Sequence, residues 1–227
     1  MKITSFGHSC FLVETGSSKI IFDPFIRNNP AAATFEFEKI QADYILVSHG
    51  HSDHTDDLLE LAKQTGALIV APYELVEWAL KNGAPHGHGM NHGGQWNFDF
   101  GSVKMVSAVH SSRLPDGTFA GNPAGFVVRS KEGKNFYFAG DTALTYDMKL
   151  IGETEKIDFA FLPLGDNYTM GIDDAVLASG FIQCKKIIGM HYDTFETIRI
   201  NQEGALQKFS AAGIELILMK SGKSIVL

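Results

Sequence analysis

Cysteine is almost absent: Cys10 and Cys184 are the two in 227 residues. They lie far apart in sequence, which excludes a disulfide-framed scaffold. Buried reduced thiols and a cytoplasmic location are the expectation. No apolar run reaches the length of a signal peptide or a membrane span, so no membrane partner is expected. Prolines number only 7, and no proline-rich, serine-rich or charged block divides the chain; a single domain over 1–227 is expected. Basic residues are the minority, 19 Lys and Arg against 26 Asp and Glu, for a net charge of −7. That balance disfavours broad binding to nucleic acid or to an anionic membrane. A GxSxG nucleophile elbow is also missing, although Ser9, Ser48, Ser111 and Ser112 stand near the stretches discussed below.

What remains reads as a soluble globular protein, with 44% hydrophobic and 20% charged residues, long enough to bury one sizeable core. Turn residues and apolar alternation predict strands near 2–6, 9–14, 19–22, 43–47, 67–71, 95–100, 102–109, 124–130, 135–140, 158–162, 186–190, 214–218 and 223–226. Helices are predicted over 57–65, 73–81, 145–151, 172–181 and 201–211, the first capped by Thr55-Asp56. Residues 27–38 and the Gly- and His-rich segment 84–94 read as loops. Strands in two batches, each followed by helices, suggest two αβ halves with partly antiparallel, mixed sheets packed face to face.

The most informative stretch is His49-Gly50-His51-Ser52-Asp53-His54, directly after the apolar run Tyr44-Ile45-Leu46-Val47. Imidazole nitrogen and carboxylate oxygen are ligand types for a borderline divalent ion. In an extended segment alternate side chains share a side, so His49 and His51 can face one ion. Asp53 and His54, after a turn, can face a second. Further donors stand where later strands end: His110 after 103–109, Asp141 after 136–140 and His191 after 186–190. Strand-to-loop junctions are where a rigid scaffold presents functional groups.

These residues resemble the HxHxDH signature and later ligands of the metallo-β-lactamase superfamily of hydrolases. The resemblance covers essentially the whole chain and implies a four-layer αββα sandwich. It also implies that His49, His51 and His110 hold one metal, that Asp53, His54 and His191 hold another, and that Asp141 bridges them. Gly7-His8-Ser9, Asp23-Pro24-Phe25 and the run Gly165 to Gly171 look like a compact branch of bacterial metal-dependent hydrolases similar to the ascorbate-6-phosphate lactonase group. Two divalent ions per chain are expected, zinc or manganese first, iron or nickel as alternatives. The implied reaction is attack of a metal-bridging hydroxide on a small ester or lactone. A phosphodiesterase or nuclease is the alternative, and a non-catalytic metal-binding module on the same fold a further one. Diiron redox relatives carry Glu at the position of His51, which argues against that chemistry.

Several residues extend the site. Asp23 is the candidate partner for a ligand histidine's second N–H. His8 is the candidate to touch substrate or metal-bound water, and Asp53 to accept a proton. Asn167, with Gly165 and Asp166, frames a pocket or else a helix-entry turn capped by Asp173. Arg27 and Arg113 read as solvated loop arginines, or as clamps for an anion; Tyr192 reads as half-buried packing. His86, His88 and His92 form a second local cluster, without a carboxylate or cysteine, read as part of a flexible loop. A small-molecule substrate and a possible homo-oligomer complete the expected partners.

Overall fold

The strands form because their apolar residues serve two surfaces at once. In β3 (Ser18–Phe22), Ile20 and Phe22 point into one buried cluster and Ile21 into another, the alternation that a pleated strand imposes. β4 (Tyr44–Leu46) and β5 (Leu68–Pro72) repeat this, with Leu46 and Val70 on one side and Ile45, Ile69 and Ala71 on the other. Strands covered on both faces read as continuous apolar runs. The computed structural model describes residues 1–32 and 35–227; the alanine run assigned to the 27–38 loop lies partly outside them.

β1 (Lys2–Gly7), β2 (Cys10–Thr15) and β6 (His86–Met90) complete the first sheet with β14 (Ser224–Val226), which returns from the chain's end to pair with β1. The second sheet holds β7 (Gln95–Phe98), β8 (Gly101–Ser107), β9 (Ala124–Ser130), β10 (Asn135–Phe138), β11 (Phe159–Pro163), β12 (Lys186–Met190) and β13 (Glu215–Ile217). The orders are β14-β1-β2-β3-β4-β5-β6 and β13-β12-β11-β10-β9-β8-β7. Each sheet begins with antiparallel pairings, as far as β3 or β10, and then continues in parallel. The two halves are therefore built alike.

Phenylalanines fill the space between the sheets. Phe22 stacks on Phe138 with centroids 4.6 Å apart, and Phe11 meets Phe161 at 4.8 Å. α2 (Leu58–Thr65) and α3 (Tyr73–Lys81) cover the outer face of the first sheet through Leu58, Leu61, Leu75 and Val76. α4 (Met148–Thr154), α5 (Ile172–Phe181) and α6 (Gln202–Ala211) pack against the second through Ile151, Ala175 and Phe209. The result is the four-layer αββα sandwich of the metallo-β-lactamase fold. No helix among the described residues is long and apolar enough to cross a membrane.

Three expectations need correction. Segment 84–94 contains β6, which pairs in parallel with β5 from Leu68↔His86 to Pro72↔Met90. Its glycines serve packing: a Cβ on Gly87 would lie 2.6 Å from Val76 Cγ1, and one on Gly89 would lie 2.9 Å from Tyr73 Cδ2. Thr55 and Asp56 do not cap α2; Thr55 ends a separate one-turn helix, α1 (Ser52–Thr55). Asp173 does not cap α5, whose N-cap is Gly171; its carboxylate takes Lys208 instead.

Candidate metal centre

The donors read from the sequence as ligands of the centre stand at or just beyond strand ends. Asp23 follows β3, the His49–His54 stretch follows β4, and Asp141, Gly165 and His191 follow β10, β11 and β12. These are carboxyl ends of strands in the parallel region, where α/β folds place their ligands. His8 follows β1 and His110 follows β8. His8, Asp23 and His191 have φ of 55°, 45° and 54°, a left-handed conformation uncommon outside glycine and concentrated at functional sites.

The donors fall into two groups. The ring nitrogens of His49, His51 and His110 form one, within 4.8 Å of one another. His49 Nε2 lies 3.0 Å from His51 Nδ1, and His110 Nε2 lies 3.3 Å from the same Nδ1. Asp53, His54 and His191 form the other, together with His8. Asp141 Oδ2 sits between the groups, 2.9 Å from His191 Nε2, 3.4 Å from His54 Nε2, 3.6 Å from His110 Nε2 and 4.0 Å from His49 Nε2.

A buried network behind the donors sets their tautomers. Ser48 N–H donates to Asp23 Oδ1 and Ser48 Oγ–H to Asp23 Oδ2, both at 2.7 Å. With its hydrogen so used, Ser48 Oγ accepts from His49 Nδ1–H at 2.9 Å. His54 Nδ1–H donates to Asp23 Oδ2 at 2.8 Å. His49 is thereby left with a bare Nε2 aimed into the site, the form that binds a metal, and His54, with Nδ1–H fixed on Asp23, has Nε2 as the nitrogen a metal can take by displacing its proton. Asp23 takes the supporting place read from the sequence. Ser48, noted there only among the serines near these stretches, is the relay to His49; its position between an apolar strand and a candidate ligand histidine was the available signal.

Electrostatics divides the same way. Burial holds His49, His51 and His110 below the ordinary imidazole value, so they are neutral. Burial opposes the charged form of His191 too, but Asp141 and Asp53 outweigh it and bring it up to about 9. His54 is likewise raised, against burial, by Asp141, Asp53 and Asp23. Burial acts to raise Asp141 and Asp53, yet the histidines hold both below the usual carboxylate range. The buried carboxylates thus draw positive charge, supplied here by two protonated histidines and equally well by divalent ions, whose binding releases those protons. Asp141 Oδ1 and His54 Nε2 are buried and have no hydrogen-bond partner among the described residues. Orphaned donor atoms of nitrogen and oxygen type, converging from several strands, fit a metal.

The groups open into a cavity of about 290 Å³, lined by His51, Asp53, His110, Asp141 and His191 together with Ser111 and Tyr168. A larger cavity of about 600 Å³ beside α4, lined by residues such as Met105, Val127 and Met148, shares no residue with it.

The remaining expectations fare unevenly. Asn167 is exposed and does not line the cavity; its neighbour Tyr168 does, displayed by a turn in which Asp166 and Asn167 both have positive φ. His8 does not face the cavity. It lies behind Asp53, 6% exposed, with Nε2 3.0 Å from Asp53 Oδ2 and Nδ1 2.8 Å from Thr194 Oγ1, so both ring nitrogens are engaged away from any substrate. Arg27 is bound to Asp57 and Glu60 and lies over the Phe37 ring, so it clamps no anion. Gly50 is a contact point, since a Cβ there would lie 2.3 Å from Ala120 Cβ. His88 packs on Trp96 and Phe98, and His92 Nε2 meets Pro123 O at 2.8 Å; with His86 they form no metal-competent group among the described residues. Tyr192 is half-buried and lines a different cavity, on the far side of His8.

Known proteins resemble this chain in sequence and fold. Residues 2–191 match the model of the beta-lactamase superfamily domain. The chain is similar to the UPF0173 metal-dependent hydrolase of Flavobacterium johnsoniae, at 52% identity over the full length of both chains. It is also similar to that of Methylacidiphilum infernorum, at 46% identity, again over both full lengths. Among solved structures it resembles Igni18, a metallo hydrolase from the archaeon Ignicoccus hospitalis, with a TM-score of 0.89 and 34% identity over 99% of this chain and 97% of that one. Sheets, donors and sequence agree: the chain belongs to the beta-lactamase superfamily and, within it, to the metal-dependent hydrolases of the UPF0173 family.

Proposed function

We propose that this hydrolase is binuclear and acts on a small ester or lactone. The observation that carries the reading is the placement of Asp141 Oδ2 within 4.0 Å of donors from both groups, at the floor of one small cavity. His49, His51 and His110 would hold one ion, Asp53, His54 and His191 the other, with Asp141 shared; zinc and manganese suit such a set of nitrogen and oxygen donors. When bound, such ions supply Lewis acidity and a water that ionises near neutral pH.

The chain supplies the rest. Ser48 and Asp23 engage Nδ1 of His49 and of His54, which leaves Nε2 of each as the nitrogen for a metal. Asp141 and Asp53 are ionised over the working range because His54 and His191 face them. Ser111 Oγ, 3.3 Å from His51 Nε2, and the exposed Tyr168 stand at the mouth, where they can orient a carbonyl compound. Two of the nearby serines are not available as nucleophiles: Ser9 is fully buried and the Ser48 hydroxyl is committed to Asp23. A volume of about 290 Å³ suits a small molecule, at the low end of ligand pockets.

The test compares initial rates of metal-loaded protein on a chromogenic lactone or simple ester and on a phosphodiester, with Asp141→Ala as the blank. Turnover of the lactone or ester, lost in the blank, is expected. Turnover of the phosphodiester alone would move the assignment to the phosphodiesterase alternative. Metal uptake without turnover of either would leave a binding module on this fold.

A further inference from the structure

We infer that His8 is the positioning residue for one half of the centre, fixing Asp53 through its ring and His191 through its backbone. The inference rests on the binuclear reading above, which makes Asp53 and His191 ligands of the same ion.

Three contacts meet at this residue. The His8 ring lies 3.0 Å from Asp53 Oδ2. Its carbonyl accepts from His191 N–H at 3.2 Å, and the two rings stand 4.2 Å apart. Both residues have left-handed φ, 55° and 54°, so the end of β1 in one sheet and the end of β12 in the other are bent toward each other and joined there. Thr194, buried just beyond His191, holds the far side of the ring at 2.8 Å.

The proton count gives a direction to this chain. A neutral imidazole that donates Nε2–H to a carboxylate must accept at Nδ1, and the Thr194 hydroxyl is the donor in place to serve it. The order is Thr194 Oγ–H to His8 Nδ1, at 2.8 Å the nearer of its two acceptors against 3.4 Å for the Tyr192 carbonyl, then His8 Nε2–H to Asp53 Oδ2. Asp53 needs such a partner more than the other donors do. Its side chain is 25% exposed, against 2% for Asp141, and among the described residues it has no counterpart to the Asp23–Ser48 network. Supporting hydrogen bonds to a ligand carboxylate hold it in one rotamer, and their removal characteristically costs about 10–100-fold in metal affinity.

The test titrates metal-free protein with Co²⁺ alone against a chromogenic chelator, following stoichiometry, stepwise affinity and the visible spectrum. Two variants are used. His8→Asn tolerates the left-handed backbone but is too short to reach Asp53. Thr194→Val keeps the shape and removes the hydroxyl without touching Asp53, His191 or the main chain of His8. One equivalent should bind as in the wild type. The other should weaken by about 10–100-fold in His8→Asn and in the same direction, by less, in Thr194→Val. Unchanged affinity in both variants would overturn the inference. So would a Co²⁺ spectrum showing one nitrogen ligand fewer in His8→Asn with no effect of Thr194→Val, because His8 would then be a ligand. A wild type that takes up a single equivalent would overturn the binuclear reading itself, a result separate from either of these.

Discussion

Replacing Asp23 by Asn tests whether the buried network really dictates how the donors present themselves. Asn is nearly isosteric and accepts the φ of 45° found at this position, so the backbone is not disturbed. Its amide has one permitted orientation, since the Ser48 N–H at 2.7 Å needs an acceptor and must meet the carbonyl. The NH₂ group then faces Ser48 Oγ and His54 Nδ1, both of which donate to the carboxylate in the wild type. Each must turn acceptor. His54 gives up its Nδ1 proton and keeps the one on Nε2, the atom 3.4 Å from Asp141. Ser48 directs its hydrogen to His49 Nδ1, whose own proton moves to Nε2. Both groups of donors therefore present N–H where a lone pair is wanted. A disturbed supporting shell weakens metal binding by about 10–100-fold, or about 1.4–2.8 kcal/mol. Folding stability should respond less. Two charge-assisted hydrogen bonds are lost, at about 1.5–3 kcal/mol each, while the several kcal/mol cost of burying a carboxylate is relieved. Competitive metal titration is thus the discriminating assay, with thermal unfolding of the metal-free form as control. Wild-type affinity for both equivalents in Asp23→Asn would refute the tautomer argument.

Proton linkage gives a second expectation. In the metal-free protein the raised His191 stabilises the fold fully below about pH 6.5, and that contribution is lost as pH rises through about 9. Metal-free stability should accordingly fall between those values while metal-loaded stability does not, which denaturant titrations at stepped pH will resolve. Metal uptake by the Asp53/His54/His191 group should release protons at neutral pH, whereas uptake by the neutral His49/His51/His110 group should not; calorimetry in buffers of different ionisation enthalpy separates the two. Phe22→Ala removes a ring that stacks on Phe138 between the sheets and should cost about 3–5 kcal/mol in chemical unfolding. Gly140→Ala places a methyl 2.7 Å from Ala124 O and 2.8 Å from Ser48 Cβ, at a φ of 63°; it should destabilise the protein and weaken metal binding together, and loss of stability alone would show that Asp141 does not depend on that turn.

The donors were legible in the sequence because metal chemistry restricts residue type and strand ends restrict position: His49, His51, His110, Asp141 and His191 each follow an apolar run. The doubly covered strands were legible for a related reason, as in 124–130 and 186–190, found as β9 and β12 with those bounds. What escaped is what depends on partners far along the chain. Segment 86–90 is composed like a loop, and becomes β6 only because β5 lends it a ladder and α3 leaves no room for side chains at Gly87 and Gly89. α4 begins at Met148 instead of 145, and the Asp147 carboxylate just before it accepts from Ser107 Oγ–H at the end of β8. His8 looked like a substrate contact because it follows Gly7 at a strand end. Only the fold brings Thr194 to its other nitrogen and so turns it away from the cavity.

The shared construction of the two sheets has a mechanical consequence. Each sheet ends its antiparallel portion at the seam, and the donors on either side of that seam belong to opposite halves of the chain. An ion held by Asp53 and His191 ties positions separated by most of the polypeptide, as a covalent cross-link would. Crosslinks that close long loops remove the most freedom from the unfolded chain, and an ion that binds only the assembled seam adds its binding free energy to folding. A metal held in that way would be a rivet between two halves as well as a reagent, and chelation should loosen the halves from each other before it loosens either one.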